Sequence, residues 1–494
     1  MIQYISTRGN KERKRSAQAI IQGIAKDKGL FVPEYFPVLN KDISQFKGMN
    51  YPSIAYEVMS KYLDDFSEEE LNNAIQKAYD EKFEEKDIVP LSEKGGVFFL
   101  ELYHGKTAAF KDMALSILPH LLTTALKKEE ENREIVILTA TSGDTGKAAL
   151  EGFADVKHTK IIVFYPSEGV SEIQKRQMVT QQGQNTHVVA IKGNFDDAQS
   201  GVKKIFNDAL FNEKIQKEGF ILSSANSINI GRMIPQISYY VYAYAKLLEK
   251  GKIQEGDKIN IVVPTGNFGN ILAAYYAYQM GLPVNKFICA SNKNKVLTDF
   301  INTGVYNINR DFHVTNSPSM DILISSNLER LLFHISGGKS YIIKELMENL
   351  DKEKKYELPE FMKNEMRMFV GGYADDQTTL KTIESLYKEE SYLMDTHTAV
   401  GYNVYMNYKQ ETKDETPTVI ASTASPYKFT NSVIEAISPA LKGTDFELVE
   451  KLQQLTNVRI PKSLKDLDKK DICHNVVIEK DQMKDEIEKI LMNK

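Results

Sequence analysis

The chain has only two cysteines, Cys289 and Cys473, far apart and without metal-ligand spacing. That argues against a disulfide framework and a cysteine zinc site, and it fits a reducing, cytoplasmic setting. There is no basic excess: 62 Lys and Arg stand against 67 Asp and Glu, so no nucleic-acid partner is expected. No apolar run is long enough to span a bilayer, so no membrane partner is expected either. The polar opening MIQYISTRGNKERK lacks the apolar core of a secretory signal. Internal repeats and low-complexity segments are absent. What remains is a chain of 494 residues with ordinary globular composition, long enough for two or three domains.

Residues 1–90 read as a mostly helical unit, with helices over 16–24, 51–63 and 67–83. The last opens with Ser67 as N-cap, followed by three glutamates. From 91 to about 431, short apolar runs alternate with helices. VFFLEL, EIVILTAT, KIIVFYP, HVVAIKG, FILSSAN, KINIVVP, FICASN, SYLMDT and TVIAST read as strands. Residues 107–126, with a break expected near Pro119, 146–154, 231–249 and 270–280 are among the helices. This alternation predicts an α/β core of parallel sheets covered on both faces. Residues 305–390 interrupt it as a charged, helical insertion. Residues 432–494 read as a helical, Lys/Glu-rich cap.

Four stretches carry possible chemistry. ELYHGKTAAFKDMAL, residues 101–115, sets Lys111 among Ala108, Ala109, Phe110 and Met113. An amine in apolar surroundings loses its proton more readily and can condense with an aldehyde. The plain alternative is a solvated surface lysine. PTGNFGN, residues 264–270, lies between a strand and a helix, where turned-in N–H groups favour an anion. It lacks the three glycines of a dinucleotide fingerprint. ATSGDTGK, residues 140–147, is not a Walker A loop, because Thr141 stands where glycine is required and Ala148 where Ser or Thr is. Its hydroxyls and N–H groups suit a carboxylate. ASTAS, residues 421–425, puts hydroxyls at the carboxyl end of a strand, where ligands bind in open α/β sheets. A trapping lysine, a phosphate cradle, a carboxylate loop and a ring-nitrogen hydroxyl together describe a pyridoxal phosphate site.

These motifs, with YISTRG, KGLFVPEYFP, NSINIGR and ASTASPYKF, make the chain resemble the long-form threonine synthase family nearly end to end. That family belongs to the tryptophan synthase β-like, fold type II group. The resemblance implies a two-domain, open-sheet α/β fold with a helical N-terminal domain. It also implies conversion of O-phospho-L-homoserine and water to L-threonine and phosphate by a monomer or weak dimer. By resemblance Lys111 is the Schiff-base lysine. Gly266, Asn267, Phe268, Gly269 and Asn270 form the cofactor-phosphate loop, Thr423 bonds the ring nitrogen, and Asp144 stands beside the ring hydroxyl. Ser142, Gly143 and Thr145 take the substrate carboxylate, and Ser227, Asn229 and Arg232 its phosphate. Spacing alone would make the last three a helix cap with a surface arginine. Two positions depart from the family pattern: Lys106 replaces a common proline, and Asp144 an asparagine of short-form relatives. The rival readings are a serine/threonine dehydratase of the same fold and a non-catalytic amino-acid binder.

Overall fold

The computed structural model describes residues 1–39, 42–141, 143–168 and 170–492. Two sheets carry the architecture. One has five parallel strands in the order Val476–Glu479, Thr186–Lys192, Thr159–Pro166, Glu134–Ala140 and Phe220–Ser223. The other has six, in the order Phe369–Tyr373, Val284–Ser291, Ile259–Pro264, Thr418–Ser422, Val97–Glu101 and Leu91–Lys94. Only its last pair is antiparallel. Runs such as IVIL and NIVV are buried on both faces, as central parallel strands require. The helices Ile230–Glu249 and Gly269–Gln279 are apolar or aromatic nearly all round and are buried accordingly.

The N-terminal unit holds the expected helices, Ser16–Gln22, Tyr51–Tyr62 and Glu68–Ala78. Ser67 caps the third: its hydroxyl accepts the Glu70 N–H at 3.2 Å, and Glu70 accepts the Ser67 N–H at 2.8 Å. A short antiparallel pair, Tyr4–Ser6 with Phe31–Pro33, completes the unit. Helix Tyr51–Tyr62 packs on helix Ile230–Glu249. Arg8 ties the unit to residues beyond it through Glu329, at 2.8 Å.

Some local expectations are corrected. Residues 107–126 break just before Pro119, as expected, but the helical part does not begin at Thr107. Up to Lys111 the chain is an irregular loop; the helices Asp112–Leu115 and Leu118–Lys128 follow, with Pro119 in the first turn of the second, where no N–H is needed. SYLMDT is not a strand. Leu393 and Met394 are buried in irregular chain leading to the Asp395 cap of helix Thr396–Thr412. The corresponding sheet position belongs to Phe369–Tyr373, where Gly371 and Gly372 admit the close approach of Thr298 and Val404. Residues 305–390 are therefore not helical throughout; they also pair Val305–Asn307 with Lys355–Glu357. The C-terminal stretch likewise adds a strand, Val476–Glu479, to a sheet edge.

The loops expected to carry chemistry follow the strands Val97–Glu101, Glu134–Ala140, Phe220–Ser223, Ile259–Pro264 and Thr418–Ser422. Each leaves the carboxyl end of a parallel strand, the end at which open α/β sheets bind ligands.

Candidate active site

The Lys111 loop is fastened to the loop after Thr418–Ser422. Phe110 N–H donates to the Thr423 carbonyl at 2.8 Å, and Ser425 N–H donates to the Ala108 carbonyl at 3.0 Å. Ala108 holds a left-handed φ of 56° there, a conformation costly for a residue with a Cβ. Lys111 Nζ lies 4.9 Å from the centre of the Phe110 ring and 3.6 Å from Asp144 Oδ2. Burial, the dominant cause, and the charges of Lys428 and Arg232 lower its pKa; Asp144 opposes them. The surface-lysine alternative fails, because the side chain is only 11% exposed.

Asp144 opens helix Asp144–Phe153. Its Oδ1 accepts from Lys428 Nζ at 2.6 Å and from Gln174 Nε2 at 2.8 Å. Its Oδ2 faces Lys111 Nζ and, at 3.5 Å, the Ser319 hydroxyl. Burial alone would raise this carboxyl, but Lys428 and Lys111 hold it well below the usual carboxylate range, so it is ionised. Gly143 precedes it at φ 149°, and a Cβ there would meet Gln174 at 2.5 Å, so glycine is required. Thr141 Oγ1 accepts the N–H groups of Gly143 and Gly146, both at 2.9 Å. The Gly143 N–H is thus used by the fold. Thr145 is half-buried. Ser142 lies outside the described residues.

In the 264–270 loop, Phe268 is buried with a left-handed φ of 65° and precedes helix Gly269–Gln279. The N–H groups of Gly266, Asn267 and Phe268 find no acceptor among the described residues. Asn270 Oδ1 accepts from both Tyr239 and Tyr240, which leaves its buried Nδ2 without a partner. Residues 317–327 brace this loop. Ser325 Oγ donates to the Gly266 carbonyl at 2.7 Å, and Asn327 donates to the Asn267 carbonyl through its N–H at 3.1 Å and Nδ2 at 3.0 Å. Ser319 N–H donates to His397 Nε2 at 3.1 Å, which puts the ring proton on Nδ1, toward Asp395. Free N–H groups at a helix start, an orphaned amide and a Thr423 hydroxyl with no partner among the described residues fit an anionic, ring-bearing cofactor.

Arg232 is 3% exposed, so it is not a surface arginine. Its Nη1 donates to the Ala225 carbonyl at 2.9 Å, its Nε is buried without a partner, and no carboxylate pairs with it among the described residues. Burial pushes its pKa down to about 10. Ser227 is half-buried in the same loop. Asn229 caps helix Ile230–Glu249 by accepting the Gly231 N–H at 2.9 Å, and its Nδ2 donates to the Ile20 and Ser224 carbonyls. Its amide is therefore committed to the fold in this structure.

Of the residues named from sequence, the structure brings Asp144 and Thr423 beside the Lys111 loop and sets Arg232 within electrostatic reach of Lys111. Ser319 lies between Asp144 and Gly266. Sequence reasoning missed Lys428, Gln174, Ser319, Ser325, Asn327 and His397. Lys428 stood within the quoted ASTASPYKF, but nothing local marks a lysine as buried.

Three family models cover the chain: "Threonine synthase N terminus" over residues 3–79, "Pyridoxal-phosphate dependent enzyme" over 88–424 and "Threonine synthase, C-terminal" over 398–477. Threonine synthase of Schizosaccharomyces pombe is 37% identical over 88% of this chain and 90% of its own length. The chain belongs to the threonine synthase family. Within it, the crystal structure of PLP-bound threonine synthase from Brucella melitensis matches 100% of this chain and 99% of its own, with a TM-score of 0.88 at 32% identity. Human threonine synthase-like 1 is 39% identical over 88% of this chain but only 60% of its own length. The chain spans about 60% of the length of the threonine synthase-like 1 proteins it matches. Threonine synthases of this family are fold type II pyridoxal phosphate enzymes, and the two sheets and loop-borne cleft here are that architecture.

Proposed function

We propose that the protein is a threonine synthase, a cytoplasmic lyase, monomer or weak dimer, that turns O-phospho-L-homoserine and water into L-threonine and phosphate. This is the last step of threonine biosynthesis. The observation that carries the reading is Arg232, a buried guanidinium with an unpartnered Nε and no carboxylate beside it. We read it as a second anion site, carried by the helix Ile230–Glu249 and distinct from the N–H groups of the 266–270 loop. A serine/threonine dehydratase has no use for a second one, whereas this substrate brings its own phosphate.

The N–H groups of Gly266, Asn267, Phe268 and Gly269, with Asn270, would hold the cofactor's phosphate, and the Thr423 hydroxyl would meet its ring nitrogen. Bound there, pyridoxal phosphate supplies an aldehyde and a ring that accepts electrons. Lys111, freed by the substrate amine, takes the α-proton and returns protons along the path. Thr145 and Ser142 receive the substrate carboxylate, and Gly143, whose N–H is held by Thr141, sets the turn beside them. Ser227 and Arg232 hold the substrate phosphate, with Asn229 setting the loop's shape. The test is incubation of the holoenzyme with phosphohomoserine, measuring phosphate and threonine together. Equal release of both supports the reading; phosphate with a keto acid in place of threonine points to dehydratase chemistry, and neither product to a binding protein.

Two substitutions test the cofactor contacts. A Cβ on Gly266 would lie 2.5 Å from the Ser319 carbonyl oxygen, so Gly266→Val should displace the 317–327 brace and weaken PLP binding. A Cβ on Gly269 meets nothing nearer than Asn327 Nδ2 at 3.5 Å, so Gly269→Ala should fold normally. Any loss of PLP affinity there, expected at about tenfold, then reports crowding of the bound phosphate. Equilibrium dialysis checks both, and unchanged affinity in both returns the loop to an ordinary turn. Thr423→Val should spare folding and lower kcat with an altered cofactor spectrum; wild-type kcat and spectrum would remove the ring-nitrogen role.

A further inference from the structure

Lys428 is absent from the sequence-based site, yet its side chain is 0% exposed and its ammonium pairs with the carboxylate that also faces Lys111. It sits in the turn Pro426–Phe429 and makes two contacts, with Asp144 Oδ1 at 2.6 Å and the Thr107 carbonyl at 2.9 Å. Gln174 Nε2 reaches the same carboxylate oxygen at 2.8 Å. The two oxygens of Asp144 are therefore unequal. Oδ1 is occupied by Lys428 and Gln174, and Oδ2 alone is turned to Lys111.

An aspartate facing Lys111 without Lys428 would form a plain ion pair and hold the amine protonated. A protonated amine cannot attack an aldehyde. With Lys428 present, the charge of Asp144 is shared between two ammonium groups: beside burial, Asp144 is the largest charge acting on Lys111 and favours its proton, and Lys428 and Arg232 oppose it. Of the other acids nearby, Asp112 also faces Lys428: burial lifts its carboxyl to about 6, and the Thr107 hydrogen bonds and the Lys428 charge oppose that rise. Asp112 accepts the Thr107 N–H and hydroxyl, at 2.8 and 2.6 Å, and Glu151 pairs with Lys106 and Lys147. Lys106, at the family's proline position, thus serves Glu151 and does not enter the Lys111 cluster.

We propose that Lys428 is a positioning residue for Lys111: it fixes the plane of Asp144 and offsets its charge, so that Lys111 keeps a free amine for the cofactor aldehyde. The proposal rests on Lys111 being the reactive lysine. In the step it serves, the neutral amine attacks the aldehyde carbon, a carbon–nitrogen bond forms, and the carbonyl oxygen leaves as water. Nothing is oxidised or reduced. Removing either charge has an opposite consequence. Lys428→Met leaves Asp144 to pair with Lys111 and raises the pH at which the amine becomes free. Asp144→Asn leaves two facing ammonium groups and lowers it.

The experiment is the rate of PLP combination with apo-enzyme as a function of pH, followed by absorbance, with folding checked by circular dichroism. Lys428→Met should move the midpoint up by about one pH unit, a roughly tenfold slower combination below the wild-type midpoint. Asp144→Asn should move it down, and Lys428→Arg should stay near wild type. Unshifted midpoints in folded Lys428→Met and Asp144→Asn would overturn the proposal, as would a downward shift in Lys428→Met. If Lys428→Met does not fold, the Asp144→Asn and Lys428→Arg midpoints decide: a downward shift beside a wild-type midpoint supports it, and any other pattern overturns it. A borohydride adduct of wild type on a residue other than Lys111 would instead sink the functional reading.

Discussion

Lys111→Ala is expected to lose turnover of phosphohomoserine by about three orders of magnitude or more. A positioned acid–base group alone contributes roughly 10²- to 10⁴-fold, and Lys111 also carries the covalent tether. The neighbouring Lys428 cannot replace it, because its ammonium is held by Asp144 Oδ1 and the Thr107 carbonyl. Lys111 follows a strained residue, Ala108 at φ 56°, in a loop fastened to Thr423 and Ser425, so its approach is built into the fold. The variant should fold, bind PLP weakly and remain colourless. Steady-state kinetics beside the visible spectrum check this, and residual activity above a tenth of wild type would assign the chemistry to another group.

Arg232→Ala is the second large effect. Loss of a charged hydrogen bond to a substrate phosphate costs roughly 2 to 4 kcal/mol, which lowers kcat/KM for phosphohomoserine by about two orders of magnitude. PLP should stay bound, because the cofactor's phosphate is assigned to Gly266–Asn270 on another strand's loop. Arg232→Lys should recover only part, since a single ammonium does not reproduce the guanidinium fork. Ser227→Ala should cost less. Asn229→Ala should act mainly through stability, because its amide caps a helix and binds the Ile20 and Ser224 carbonyls. Near-normal kcat/KM in Arg232→Ala would move the substrate phosphate elsewhere, and loss of colour would assign Arg232 to the cofactor or the fold.

The parts legible in the sequence share one property: their signal is local. Apolar runs bounded by turn residues marked eight of the strands, and SGDTG and TGNFGN marked helix starts that the structure reproduces at Asp144 and Gly269. The strand Phe369–Tyr373 was hidden inside the stretch read as a charged, helical insertion, and its two glycines are what allows Thr298 and Val404 to pack against it. SYLMDT misled for the opposite reason: its apolar residues are buried, but the neighbouring edge strand is already paired. Burial is a tertiary property, so neither Lys428 nor the depth of Arg232 could be read from adjacent residues. Ser319, Ser325 and Asn327 reach the cleft from a stretch that reads as an insertion, and only the folded chain sets them against Gly266, Asn267 and Asp144. Aspartate at 144, where short-form relatives carry asparagine, shows the same limit: the lysine that pairs with it, Lys428, lies far along the chain.

The most direct test of the account is to reduce the PLP-loaded wild-type enzyme with borohydride, digest it and locate the stable adduct by mass spectrometry. Two lysines border Asp144: Lys428, fully buried, and Lys111, only slightly exposed. The account predicts stoichiometric adduct on Lys111 and none on Lys428, with loss of turnover. Adduct on Lys428, or on a lysine outside the cleft, would contradict it.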